Sequence, residues 1–427
     1  MQGLLCSRKF LELVSMLLHY ILIGLALLAL AGVIFEEVTH INKAKITLLF
    51  GTLSWILLFV FTPSSADRHI IEHSLRENLA DISSLWLFLV AAMTFVAYLN
   101  KKELIANLLH RAMPESISER KLLVFTAIFS FIFSSLADNI TATLVSIALI
   151  LSLSLPVNKT IRFAVLVVFA VNSGGVSLIT GDVTTLMIFL ADKVSILDLL
   201  WLSLPSFIAV MALTLMMSVG MNDKVTIKQQ RIEIRKLDYA IATIFLCTIL
   251  FTILGNVLFD IPPVLSFLAG LSVMFIVARL CNDDDDPILE YIRYIEFDTL
   301  LFFLGILLLV GMLEHIHALD FLVTLYQYVP PMYANYIMGI TSAAVDNVPL
   351  TAALLKTGIE MDLTSWLGLT YAVGVGGSLL VIGSAAGIVT MSKVPGLSFA
   401  RYAKYGLLLF IAYTLGYVLV IGLAQFI

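Results

Sequence analysis

A transmembrane helix needs about 20 consecutive, mostly apolar residues, and this chain supplies such runs from one end to the other. "LVSMLLHYILIGLALLALAGVIF" (13–35), "TLLFFLGILLLVGML" (299–313) and "YGLLLFIAYTLGYVLVIGLAQF" (405–426) are three of them. No polar stretch between them is long enough for a soluble domain. Composition agrees, since 60% of the 427 residues are hydrophobic and 13% charged, where a soluble domain has about 45–50% and about 25%. The chain therefore reads as an all-α polytopic membrane protein whose first partner is the lipid bilayer. Full crossings are expected at 13–35, 46–61, 82–99, 197–220, 239–259, 263–280, 299–313 and 403–425.

Several function classes drop out early. The net charge of −5 is spread through loops and gives nucleic acid no basic footprint. Cys6, Cys247 and Cys281 are far apart, without a CxxC pair, so neither a zinc site nor a disulfide framework is expected. The first apolar run follows Arg8 and Lys9 and contains "ALAG" (29–32), as a signal peptide would, yet it is long enough to span and reads as an ordinary first helix.

Four apolar stretches are not simple spans. "LLVFTAIFSFIFSSLADNITATLVSIALILSLSLP" (122–156) is too long for one crossing and is cut by Asp138 and Asn139 within "SSLADNITATL". A re-entrant pair of half-helices fits it, because non-helical backbone at membrane depth survives only where protein or water satisfies it. Its counterpart is 331–356, where "SAAVDNVPLTAAL" places Asp346 and Asn347 208 residues further on. Each hairpin precedes a glycine-interrupted segment, "FAVNSGGVSLITGDVTTLMIF" (169–189) and then "YAVGVGGSLLVIGSAAGIVTM" (371–391). Glycine inside a helix costs about 1 kcal/mol relative to alanine, so these clusters mark broken helices, expected over 161–192 and 366–392; close helix packing is the simpler alternative.

The order three crossings, hairpin, broken crossing, last crossing thus occurs twice, in 1–220 and 239–427, joined by a cytoplasmic linker 221–238. With about ten crossings in all, each half crosses an odd number of times, so the second repeat is expected upside down relative to the first. With both termini outside the cytoplasm, 19 of the 25 basic residues fall in cytoplasmic loops, as the positive-inside rule favours. Arg8 and Lys9 dissent. Inverted repeats with paired broken segments are the signature of a secondary transporter whose ion site lies where the breaks meet.

A carboxylate at the bilayer centre costs at least about 2.5–3.5 kcal/mol, and three acids are expected at that depth: Asp138, Asp346 and Asp182. No lysine or arginine lies deep in the same segments, so a proton or a bound cation must neutralise them. The neighbours suit a small hard cation, which takes oxygen ligands. Asn139, Thr141 and Thr143 flank Asp138, and Asn347 and Thr351 flank Asp346. Asn172, Ser173, Thr180, Thr184 and Thr185 surround the first glycine break, Ser378 and Ser384 the second. Two plainer roles compete: membrane Ser and Thr often bond the i−4 carbonyl, and an acid at a tip can bond backbone amides. Asp182 stands where the second copy has Ser384, which makes it the less symmetric candidate.

Other features carry less. "NDDDDP" (282–287) lacks the spaced ligands of a calcium loop, "KQQRIEIRK" (228–236) reads as a positive-inside anchor, and His40, His69, His73, His110, His315 and His317 fall in loops or interfacial helices.

Through "SSLADNITATL", "NSGGVSLITGD", "SAAVDNVP" and "GGSLLVIGSAAG" the chain resembles the NhaD-type sodium/proton antiporters of the ion transporter superfamily, over nearly its whole length. It is similar, more distantly, to the dicarboxylate/sodium symporters, whose tips carry Ser-Asn-Thr where this chain has Asp138-Asn139 and Asp346-Asn347. The resemblance implies a homodimer in the inner membrane, a scaffold from the early helices of each repeat, and a transport domain of hairpins and broken helices moving as an elevator. It implies transported sodium or lithium and protons, and no cofactor. A dicarboxylate would meet buried negative charge with no deep cation to receive it. The remaining alternatives are an anion or arsenite carrier of the same fold and an intramembrane aspartyl protease, whose GxGD signature would need glycine at Ile179.

Overall fold

The computed structural model describes residues 2–34, 36–39, 41–62, 64–102, 104, 114, 116–153, 155–226, 235–281 and 288–424. The acidic run 282–287, His40, His110 and most of the basic segment 228–236 lie outside them. All eight expected crossings are helices long and apolar enough to span a bilayer. In order these are α1 (Gln2–Ile34), α2 (Lys43–Phe61), α3 (Ser65–Lys101), α8 (Ile196–Met217), α9 (Lys236–Phe259), α10 (Pro263–Cys281), α11 (Phe297–His315) and α18 (Gly406–Ala424).

Between them lie the interrupted segments. α4 (Glu119–Leu136) and α5 (Asn139–Ser152) divide at Ala137-Asp138, and α6 (Val157–Gly175) and α7 (Val183–Leu190) at the glycine cluster. In the second half the same order returns as α13 (Pro331–Thr341), α14 (Asn347–Lys356), α15 (Leu363–Gly376) and α16 (Ala385–Lys393), with α17 (Phe399–Ala403) before the last helix. Two features go beyond the apolar pattern. α3 has 37 residues, beginning well before the expected crossing at 82, and α12 (Asp320–Tyr328) is a short helix ahead of the second interrupted pair. A two-stranded antiparallel ribbon, β1 (Ser116–Ser118) with β2 (Lys224–Thr226), joins two stretches that read as loops.

The chain forms two compact units. The first holds 1–86, 296–330 and 348–360. Here α2 lies along α11 through a glycine notch, since a Cβ on Gly51 would sit 2.6 Å from the Gly305 carbonyl oxygen. Three side chains donate to carbonyls of α11: Trp86 Nε1 to Leu300 (2.8 Å), Asn78 Nδ2 to Leu307 (3.2 Å) and Trp55 Nε1 to Leu308 (2.9 Å). Lys356, at the end of α14, reaches Asp81 at 3.0 Å and Glu314 at 3.5 Å.

The second unit holds 87–295, 331–347 and 361–427. Its centre is α6, buried without interruption from Phe163 to Gly175, and α15, buried from Ser365 to Gly376. A helix buried on all sides needs no amphipathic stripe. The first arm of each interrupted pair lies on one of these helices in the same way. Ser134 Oγ donates to the Val171 carbonyl and Ser342 Oγ to that of Val373, both at 2.8 Å. A Cβ on Gly174 would run into the Phe131 carbonyl oxygen, and one on Gly376 into that of Gly339. At one end of the unit Lys159 pairs with buried Glu119 and with Asp223, beside the ribbon.

These notches make a direct prediction. Gly174→Ala and Gly376→Ala force a methyl against a main-chain oxygen that cannot rotate away, a strain of about 1–3 kcal/mol or more. Both variants should melt well below wild type in detergent. Gly24→Ala, with no atom within 4 Å, should not. Equal melting temperatures for all three would contradict the packing.

Candidate functional site

In hydrocarbon a helix break leaves amides and carbonyls that must be answered within the protein, and the site is made of the answers. Asp138 is the N-cap of α5: Oδ1 accepts from the amides of Ile140 (3.0 Å) and Thr141 (2.9 Å), and Oδ2 from Thr141 Oγ1 (2.8 Å). The plain structural role of this acid is therefore filled, and the residue is only half-buried. Asn139 next to it accepts from Ser134 Oγ at 2.7 Å and lies against Gly175, where a Cβ would be 2.5 Å from its Oδ1.

Asp182 is the most enclosed of the three acids, 8% exposed. It caps α7, Oδ1 accepting from the Thr184 amide at 3.2 Å. Its Oδ2 accepts from Asn347 Nδ2 at 3.2 Å, and the Asn139 side chain lies close by. Both tip asparagines thus converge on the acid of the first glycine break. Asp346, half-buried, lies near enough for its charge to act on Asp182. The sequence ranks Asp138 and Asp346 as the pair; the geometry centres on Asp182.

The two breaks also meet directly. Asn172 Nδ2 donates to the Val168 carbonyl (2.7 Å) and to Ser384 Oγ (3.1 Å), and Ser384 in turn caps α16 by accepting from the Gly387 amide at 3.3 Å. Gly374 keeps the second broken helix close, since a Cβ there would run into the Val176 side chain; Asp182 Oδ2 lies at ordinary contact distance, 3.7 Å, from the same point.

Among the described residues six buried side-chain oxygens lack a hydrogen-bond partner, and four of them belong to this break: Asn172 Oδ1, Ser173 Oγ, Ser177 Oγ and Thr184 Oγ1. Buried polar atoms are almost always satisfied, so such a concentration beside a carboxylate marks a place for a hard cation or for water. Other expected ligands have ordinary occupations. Thr143 bonds the Asn139 carbonyl (2.7 Å), Thr180 the Ser135 carbonyl (2.7 Å) and Ser378 the Val375 carbonyl (2.6 Å), while Thr185 makes a long contact with the Gly175 carbonyl (3.5 Å). Thr351 is buried on α14, in the stretch belonging to the first unit.

A family model described as CitMHS, citrate transporter, matches residues 13–367. The NhaD sodium/proton antiporter of Alkalimonas amylolytica is 30% identical, over 96% of this chain and 94% of its own length. That of Vibrio cholerae is also 30% identical, over 91% and 88%. Sodium/proton antiporter 1 of Arabidopsis thaliana is 31% identical, over 87% of this chain and 69% of its own. The chain belongs to the NhaD-type sodium/proton antiporter family. This is a family of transporters, not enzymes.

In this NhaD-type chain the structure also places Ser177, Ser134 and Ser342 at the breaks, residues not singled out from the sequence. Ser177 carries no special neighbour, and only the break turns its hydroxyl inward unpartnered. The two tip serines stand a few residues before each Asp-Asn pair, a repeated spacing that was open to reading.

The cap and the charge of Asp138 are separable. Asparagine caps about as well as aspartate, whereas alanine costs about 0.5–2 kcal/mol. Asp138→Asn should therefore melt near wild type and Asp138→Ala clearly lower; comparable losses in both would assign the carboxylate's charge, not its cap, to stability.

Proposed function

We propose that this protein exchanges sodium or lithium for protons across a bacterial inner membrane, with Asp182 as the site where cation and proton compete. The supporting observation is that one enclosed carboxylate is bonded by the asparagine of one tip with that of the other close by, beside four buried oxygens without partners, and that no lysine or arginine occurs in any of the four breaks. A low-dielectric surround disfavours an unneutralised carboxylate, so the acid exchanges one positive partner for another. Sodium fits the oxygen set; a proton leaves the same set to Asn139 and Asn347. Asp346 and Asp138 supply further negative charge, and Ser384 belongs to the ligand set through Asn172.

The family description names citrate. A tricarboxylate would face Asp182 and Asp346 with no cationic side chain in the breaks, a repulsion of several kcal/mol at short range, so cation exchange is the better reading. The matched contacts of Ser134 with Val171 and Ser342 with Val373 support two repeats, over 1–220 and 239–427, with 221–238 between them. Inverted insertion, termini outside the cytoplasm, a homodimer and elevator movement complete the proposal.

In everted vesicles, sodium added to the wild type should collapse an imposed pH gradient. Asp182→Asn should abolish the response, and Asp346→Asn and Asp138→Asn should reduce it by at least about tenfold, the equivalent of 1.4 kcal/mol. Full sodium-dependent proton movement in Asp182→Asn would sink the assignment, and running lithium and potassium in parallel ranks the cations.

A further inference from the structure

Three tyrosine hydroxyls connect the first arm of the second tip, α13, to the last helix, α18, and a fourth connects α15 to α18. Tyr413 OH donates to the Tyr336 carbonyl at 3.1 Å and Tyr417 OH to the Met332 carbonyl. Tyr336 OH pairs with Thr414 Oγ1 at 2.7 Å, and Tyr371 OH on α15 donates to the Tyr413 carbonyl at 3.2 Å. The rings themselves are in contact, Tyr336 lying 5.4 Å from Tyr413 and 5.2 Å from Tyr417 between centroids. Gly339, one turn further along α13, leaves room for the Tyr413 hydroxyl, into which a Cβ would run.

Residues 332, 336 and 339 follow helical spacing, so they share one face of α13, and Ser342 continues it to the Val373 carbonyl. α13 has 11 residues, too few to be stable by its own hydrogen bonds. Its face is instead fixed at every turn from Met332 to the tip. The corresponding arm of the first pair, α4, is bonded near its tip, where Ser134 Oγ donates to the Val171 carbonyl and Thr180 Oγ1 to the Ser135 carbonyl; further back, Phe131 packs edge-on against Phe207 at 5.3 Å, and among the described residues no tyrosine bonds its carbonyls as Tyr413 and Tyr417 bond those of α13.

We infer that Tyr413 and Tyr417 are positioning residues for the cation site: through the Tyr336 and Met332 carbonyls they set the height of α13, and with it the reach of Asn347 to Asp182. The inference rests on the proposed site at Asp182. Loss of one hydrogen bond worth about 1 kcal/mol changes an equilibrium about fivefold. Tyr413→Phe combined with Tyr417→Phe keeps both rings and removes both donors, and should raise half-saturating sodium at least about fivefold while the maximal rate changes less. Tyr371→Phe removes a bond on α18 that does not touch α13, and should lower the melting temperature without moving half-saturation.

Hydrogen exchange supplies a reading that needs no ion. Amides of 342–347 should exchange faster in the double variant than in wild type or Tyr371→Phe. Unchanged exchange there overturns the inference whatever the protein carries. Unchanged half-saturation with faster exchange overturns it too, because the tip would then move without consequence for sodium. A wild type that moves no protons with sodium defeats the proposed function instead, and the exchange comparison still decides the role of the tyrosines.

Discussion

Hydrocarbon offers a peptide group no hydrogen bond, so every interruption of a helix at membrane depth must be answered by a side chain or by another part of the backbone. In the second unit Asp138 answers two amides at the start of α5, Asp182 one at the start of α7, and Ser384 one at the start of α16. Ser134 and Ser342 take carbonyls of the broken helices. The residues that repair the backbone are short, oxygen-bearing and fixed in position. Those are also the properties of a ligand for a small hard cation, so the same breaks that endanger the fold create its chemistry.

Much of the architecture was legible because hydropathy is local: each long apolar run became a spanning helix. The breaks were legible for the opposite reason, since acids and glycines are costly in such surroundings and have to be explained. The extension of α3 back to Ser65 was not, because Asp67, Arg68 and Glu72 follow no apolar stripe and say nothing about where a helix begins. In the site, residue type identified the candidate set and the repeat ranked Asp138 and Asp346 first. Thr143 and Ser378 bond carbonyls of their own helices while Ser173 and Ser177 do not, a difference that only the course of the chain through the break decides. The repeat favours Asp138 over Asp182; in the structure the first is bonded by its own cap and the second is shared with a distant tip.

The backbone repeats more faithfully than the chemistry. Hairpin tips are offset by 208 residues, and Ser134–Val171 and Ser342–Val373 make the same bond. The polar inventory is nevertheless concentrated in the first copy. Where it has Asn172, Thr180 and Asp182, the second has Gly374, Ile382 and Ser384. Gly374 gives room beside Asp182, and Ser384 serves as partner to Asn172. In the proposed site the second broken helix thus adds to the polar set of the first in place of forming another, and the departures from the repeat coincide with that set.

Asparagine at both tips suits a carboxylate that must change partners. Its amide carries donors and an acceptor on one rigid group, so a half-turn converts a residue that donates to Asp182 into one that presents oxygen to a cation beside it. A charged lysine could neutralise the acid but not coordinate a cation, and a second ionised carboxylate could coordinate but not donate. Because Asn347 bonds Asp182 from one tip and Asn139 lies close to it from the other, the proposed exchange of partner would be felt at both breaks at once. Fixing the height of each tip is then as much a part of binding as the ligands themselves.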